Sequence, residues 1–476
     1  MNARVLKSGA AVAAVLVLAY GGASWYAGRV AQDRIQDWVA QANQEIAAQW
    51  SSPDPRPVLA IQAYRRGVFS SDIRYALQFR DDDGHDQVLS LHDDLSHGPF
   101  PWAAVRQGAW QPVAAASLIE PLPGGLWQPW FDAVPAGTAP WTLQSRVGFS
   151  GDVVAHWRVA PVRLPDDQLD FSGSLVQFDY DAQMRQALVS GQVDRFVAFD
   201  PDSGVRVQAE GLAFQGSTTH SGDTDLQSHQ QAKFGQIRID VPDAPPLAFV
   251  GPSLNSDTAR TGSLLDSRLT YELGQVQVDH QDLGHITLAL SAEHLDVPAL
   301  QALGSALEQI SEDSDTDDSL SDEDQTRLRA LAVPVLAASP RLAVDSLRWE
   351  TPQGTTEFKA LAEFRPAPDD APQDLGGLLE SGIRQVSAQL NLSKPMLLQV
   401  VRQTQPQEGA DMAVALLSML FDQYVGGLER QGLVQRQGDK VAADYRYADG
   451  QVSANGQVRA PADFAAQFGA LFGLGH

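Results

Sequence analysis

The sequence predicts an α+β, β-dominated protein: an N-terminal transmembrane helix followed by a large antiparallel meander sheet with packed amphipathic helices. Three features lead there. Ser8 to Gly28 carries no charge, while Arg4 and Lys7 precede it. Long stretches alternate apolar and polar residues, the period of a half-buried strand. A short Ser-Gly phrase opens three such stretches, at Phe149, Phe171 and Val189.

The apolar segment sets the address. A helix rises about 1.5 Å per residue, so roughly twenty residues cross about 30 Å of hydrocarbon, and Ser8 to Gly28 just reaches that length. Arg4 and Lys7 hold the N-terminus on the cytoplasmic side, and Trp25 and Tyr26 fall where an interfacial aromatic belt forms. Ala19, Gly21 and Ala23 would also suit a cleaved signal peptide, but the apolar core outruns one, so residues 1–28 read as a retained signal anchor. Residues 29–57 follow as an amphipathic helix, with Val30, Ile35, Trp38, Val39, Ala42 and Ile46 on one face, and a Pro-rich linker.

Residues 58–300 read as a β-rich exported body. Ile73, Tyr75, Leu77 and Phe79 alternate with Asp72, Arg74, Gln78 and Arg80, and Asp83-Gly84 suits a tight hairpin. Between Gly98 and Trp141 regularity lapses around Trp102, Trp110, Trp127, Trp130 and Trp141, rings expected to pack this connection onto the sheet, or, if exposed, to mark a binding surface. The three Ser-Gly phrases predict a meander of similar hairpins.

Residues 301–340 read as helices around an acidic disordered loop at 311–325, the second helix interrupted at Pro334. Asp313, Asp315 and Asp317 have the spacing of a calcium loop. Asp318 stands where such a loop needs glycine, however, and Asp324 where it needs glutamate, so a solvated loop is expected instead. Residues 341–476 form a second β-plus-helix region, either continuous with the first or separate. It holds the alternating run Val386 to Ser393, an apolar helix from Asp411, an Asp449-Gly450 hairpin, and a last helix striped by Phe464, Phe468, Leu471 and Phe472.

Composition removes whole classes of function. Thirty-four basic against 59 acidic residues leave a formal charge of −25, which repels nucleic acid. The absence of cysteine excludes disulfides, thiolate catalysis and Cys-ligated metal. Nucleophile elbow, phosphate loop, zincin and dinucleotide motifs are missing too, and no cofactor is expected.

Two constellations remain. His85, His92 and His97 lie among Asp81, Asp82, Asp83, Asp86, Asp93 and Asp94, the donor types zinc or iron would take, in a stretch a solvated acidic surface also explains. "YRRGVFSS", Tyr64 to Ser71, places Arg65 and Arg66 before a strand. The structural reading gives Gly67 a bend that other residues resist and makes Phe69 a buried anchor; the functional reading turns Arg65 and Arg66 toward a ligand.

The segment ending in "GGASWYAGR", "QAN" at Gln41 to Asn43, "YRRGVFSS", "HGPF" at His97 to Phe100 and "HLDVPAL" at His294 to Leu300 resemble, in this order, the YdgA/YihF-like family. The resemblance spans nearly the whole chain. It implies a single-pass protein of the bacterial inner membrane facing the periplasm, with no established activity. Tyr64, Gly67, Phe69, Ser70, His97, Gly98 and Pro99 carry the structural motifs.

The expected function is therefore a non-enzymatic, membrane-anchored envelope protein. Its partners would be the bilayer, through the N-terminal helix, and a lipid or an envelope protein. The alternative is an envelope hydrolase or metal-dependent enzyme built on His85, His92 and His97.

Overall fold

The computed structural model describes residues 3–49, 55–81, 84–101, 105, 112–164, 168–183, 185–222, 224–313, 321–368, 370–404 and 407–461, with side chains described from Ser24 onward except at 48, 49, 311–313, 407 and 408. These residues form 24 strands and seven α-helices, β-dominated as the alternation predicts. The chain divides into two compact units, Met1–Ser217 and Thr218–His476.

The first unit opens with α1 (Ala3–Gln49), one unbroken helix with no interruption between residues 28 and 29. Among the described residues no helix is long and apolar enough to cross a membrane, and the side chains of residues 1–23, which carry the span expectation, lie outside them. From Ser24 onward α1 lies on the sheet. Ala31, Ile35 and Val39, four residues apart, share one stripe and pack on Ile73, Tyr75 and Leu95. Val30 and Trp38, expected on that stripe, are 40% and 56% exposed. Each sits off the buried line by the helix's rotation of about 100° per residue.

Ten strands follow: β1 (Val58–Arg66), β2 (Ser70–Arg80), β3 (Asp86–His97), β4 (Ala115–Pro121), β5 (Trp141–Val147), β6 (Val153–Val159), β7 (Val162–Arg163), β8 (Leu169–Phe171), β9 (Ser174–Tyr180) and β10 (Gln186–Phe199). Between β4 and β5 lies a short α2 (Gln128–Asp132). β1 to β6 pair in sequence order, all antiparallel. β9 then pairs β6 and β10, while β8 takes the far end of β10 and pairs β7. The Ser-Gly phrases therefore differ in role. Ser150-Gly151 and Ser172-Gly173 sit at turns entering β6 and β9, whereas Ser190-Gly191 lies inside β10 and opens no hairpin.

In the second unit, reached through β11 (Arg206–His220), come β12 (Leu226–Lys233), β13 (Gln236–Asp240), β14 (Leu247–Val250), β15 (Ser253–Thr261), β16 (Leu264–Val278), β17 (Gln281–Asp296), β18 (Arg341–Thr351), β19 (Gly354–Phe364) and β20 (Ile383–Ser393). β15 through β20 pair consecutively, antiparallel throughout. After β21 (Gln435–Gln437), the strands β22 (Lys440–Ala448), β23 (Gln451–Ala454) and β24 (Gln457–Arg459) extend the sheet from β20. The Asp449-Gly450 hairpin forms as expected, both residues at positive φ, 50° and 73°.

Five helices belong to this unit: α3 (Val297–Asp313), α4 (Asp322–Ala337), α5 (Leu375–Gly382), α6 (Lys394–Thr404) and α7 (Gln407–Arg430). The ends of the expected acidic loop are helical. Ser321 caps α4 by accepting from the Asp324 amide, and Asp322, Glu323 and Asp324 sit in the first turn, where the helix dipole favours acids. Residues 314–320, most of the calcium reading, lie outside the described residues, as do 462–476 with the last predicted helix. The expected interruption at Pro334 does not occur: Pro334 lies inside α4, which runs on to Ala337, although proline has no amide to give the Ala330 carbonyl.

Candidate functional site

One side of the first unit's sheet carries an apolar groove of about 610 Å³. Strand alternation builds its floor. Trp157 faces Leu143 on β5 and Val176 on β9 in register, and Val159 faces Trp141 and Ser174. Phe171 and Phe196 oppose each other where β8 meets β10. The 3-10 turn Gly125–Trp127 and α2 supply the wall, with Trp127 edge-on to Trp130 at 6.3 Å and to Trp141 at 5.7 Å between centroids. Beneath lie the buried Val134, Ala160 and Val162.

The lining is almost entirely carbon. Trp127 Nε1 is buried without a hydrogen-bond partner. Trp130 and Trp157 remain 46% and 40% exposed at the mouth. The described tryptophans of the irregular segment thus pack on the sheet and line a cleft together, joining two readings that the sequence held apart; Trp102 and Trp110 lie outside the described residues.

The "YRRGVFSS" stretch forms the β1–β2 turn. Gly67 donates its amide to the Ser70 carbonyl at 2.7 Å, and a Cβ on Gly67 would lie 2.9 Å from that same oxygen. Gly67 is required for this close approach and not for a left-handed backbone, which corrects the expected reason. Phe69 is 50% exposed and is no buried anchor; that role belongs to Ile73, at 0%. Arg65 and Arg66 are exposed, and the Arg66 guanidinium stacks 5.5 Å from the Trp25 ring centroid. Tyr64 packs beside the core under α1.

The three histidines do different things. His85, in the β2–β3 turn, stands 3.6 Å from Asp81 and is largely exposed, and His92 pairs with Asp72 at 3.1 Å. His97 is buried beneath α1: its Nδ1 donates to the Ser24 carbonyl at 2.8 Å, which leaves Nε2 to accept from Ser71 Oγ at 3.3 Å. Among the described residues no three His, Asp or Glu side chains come together as a metal set. The spacing that proposed His85, His92 and His97 as ligands puts them instead in a turn, in a strand pair and under a helix.

Around His97 the chain is fitted closely. A Cβ on Gly28 would lie 2.4 to 2.8 Å from the imidazole, and one on Gly98, at φ 118°, would meet Ser24 Oγ and its Cβ. Glycine is thus required at both ends of this clasp. A second tie closes the helix, where the Asn43 side chain donates to the Leu59 carbonyl and accepts from its amide, both at 2.8 Å.

Asp93, 3% exposed, accepts from Tyr75 Oη at 3.3 Å and Ser117 Oγ at 2.5 Å. Burial raises its carboxyl from 3.8 to about 6, against the lowering by those two bonds. Between these values the folded state holds more protons than the unfolded one. The Asp93 contribution is therefore fully present below about pH 4 and declines as pH rises through 6, by about 3 kcal/mol in the limit. His97 works the other way, because burial lowers it and its contribution is lost as pH falls below 6.5. Urea unfolding of Asp93→Asn against the parent isolates the first effect: the variant should be the more stable at pH 8 and lose that advantage by pH 4. A stability difference independent of pH would refute it.

Residues 5–461 match the family model described as "Bacterial protein of unknown function (DUF945)". Protein YdgA of Escherichia coli (strain K12) is 25% identical over 98% of this chain and 97% of its own length. Uncharacterized protein YihF of the same organism is 23% identical over 98% of this chain and 99% of its own. No solved structure matches.

Proposed function

Because the chain belongs to the DUF945 family of bacterial proteins of unknown function, we propose a function from its geometry: a non-enzymatic, membrane-anchored periplasmic protein that holds the apolar part of a lipid or similar amphiphile in the tryptophan-lined groove. The groove carries the reading. Its volume of about 610 Å³ lies within the range of about 300–1,000 Å³ typical of ligand pockets. Its carbon lining gives an acyl chain about 0.8 kcal/mol per buried CH₂.

The anchor reading is supported by the uncharged run Ser8 to Gly28, by Arg4 and Lys7 before it, and by the helical backbone from Ala3. An enzyme built on His85, His92 and His97 finds no support in three side chains engaged with separate partners. An envelope-protein partner is the second reading, but a cleft lined with carbon suits an acyl chain better than a polar protein surface.

Detergent-extracted full-length protein, analysed for retained lipid by mass spectrometry, tests both parts. An acyl-bearing amphiphile is expected in proportion to protein, from a chain that resists alkaline carbonate extraction of membranes. Protein that carries no lipid and takes up no fluorescent fatty acid removes the groove reading; release by carbonate removes the anchor.

A further inference from the structure

At the N-terminal end of the clasp three segments converge. His97, bonded to Ser24 of α1, also donates its amide to the Phe69 carbonyl at 2.9 Å. This brings the β1–β2 turn, the "HGPF" loop and the helix to one place. Five apolar side chains are exposed there: Trp25 and Tyr26 on α1, Val68 and Phe69 on the turn, and Phe100 on the loop, each between 45% and 64% accessible. Arg29, Arg65 and Arg66 are exposed beside them.

We propose that this patch is a collar that seats the first unit on a phospholipid bilayer, its aromatic rings at headgroup depth and Arg29, Arg65 and Arg66 against anionic lipid phosphates. The inference rests on the anchor reading above and adds a second contact to it. Three observations select the bilayer as the occupant. The chain preceding the patch is the uncharged run, and Ser8 to Tyr26 spans about 28 Å of helix, which puts Trp25 and Tyr26 at the far interface of the hydrocarbon. Trp, Tyr and Arg together are the side chains that settle in that interface, apolar bodies inward and polar ends toward headgroups. Three arginines also stand together in a chain of charge −25, a local reversal that attracts an anionic surface within a Debye length. Arg65 and Arg66 thereby gain a ligand without an enclosed site, and Phe69 a reason to be exposed.

The chain has no cysteine, so single fluorophores can be placed cleanly. Val68→Cys, Phe69→Cys and Phe100→Cys, each labelled with a polarity-sensitive dye, are compared with Phe149→Cys, exposed elsewhere in the unit at 62%. The full-length protein is held in nanodiscs carrying headgroup-proximal spin-labelled lipid. Several-fold stronger quenching is expected at the three collar positions than at position 149. It should deepen when phosphatidylglycerol replaces phosphatidylcholine, and Arg65→Gln with Arg66→Gln should abolish that deepening. Collar probes quenched no more than position 149, in protein that resists carbonate extraction, overturn the collar and leave the anchor standing; a protein partner would then be the occupant. Quenching that ignores lipid charge overturns the arginine contacts. Release of the protein by carbonate overturns the anchor, and the collar with it.

Discussion

Gly28→Val is expected to destabilise the first unit by about 3 kcal/mol and to loosen α1 from the sheet at its Ser24 end. The added Cβ would occupy space now filled by the His97 ring, 2.4 Å away at its nearest atom. His97 is 1% exposed and tied to Ser24 and Ser71, so it cannot move without losing both bonds. Overpacking costs about 1–3 kcal/mol, and a buried imidazole left unpaired adds about 1–3 more. The damage should be local: hydrogen exchange of the α1 amides beyond Ser24 should accelerate more than exchange in β5 and β6. His97→Ala should restore part of the loss in Gly28→Val, because it vacates the contested space. Strictly additive losses in the double variant would mean that Gly28 and His97 do not compete for that space.

Trp157→Asp is expected to weaken binding of a fluorescent fatty acid at least tenfold, or about 1.4 kcal/mol, with little change in the melting curve. The carboxylate would stand opposite Leu143 and Val176 in a cleft without a basic partner in its lining, where an acyl chain would leave it desolvated. At 40% exposure the position tolerates the change in the empty protein. Phe149→Asp, equally polar but outside the groove, should bind as the parent does. Equal loss in both variants would assign the probe to general surface adsorption.

What could be read from the chain was local. The strand from Ser70 to Arg80 shows its alternation in sequence and in burial alike, and Asp449-Gly450 declares its turn through two residues that accept positive φ. The motif "YRRGVFSS" was visible as a turn into a strand. The direction in which Phe69 points was not, because exposure is decided by what the fold brings nearby. The groove was half legible. Tryptophans in an irregular stretch announced an aromatic cluster, but its floor comes from β5, β6, β8, β9 and β10, whose order follows a branching at β10 that spacing does not encode. The parts of the clasp were visible as the separate motifs "GGASWYAGR" and "HGPF", but their pairing was not, since Ser24 and His97 are 73 residues apart. The histidines misled for the opposite reason, being near in sequence and separate in space.

The double attachment of α1 has a mechanical consequence. Its 47 residues make a rod of about 70 Å, fastened at Ser24 and again at Asn43, about 28 Å further on. A pull along the rod from its first residues meets both fastenings, and the packed Ala31, Ile35 and Val39 between them, in shear. Shear loads such contacts together, whereas peeling would part them one by one. Tension arriving at the N-terminus is therefore delivered to β1, β2 and β3 as a unit, and torque about the rod turns that sheet with it. The first unit cannot pivot on this joint as a tethered head would: whatever bearing the rod's first residues take, the sheet takes as well.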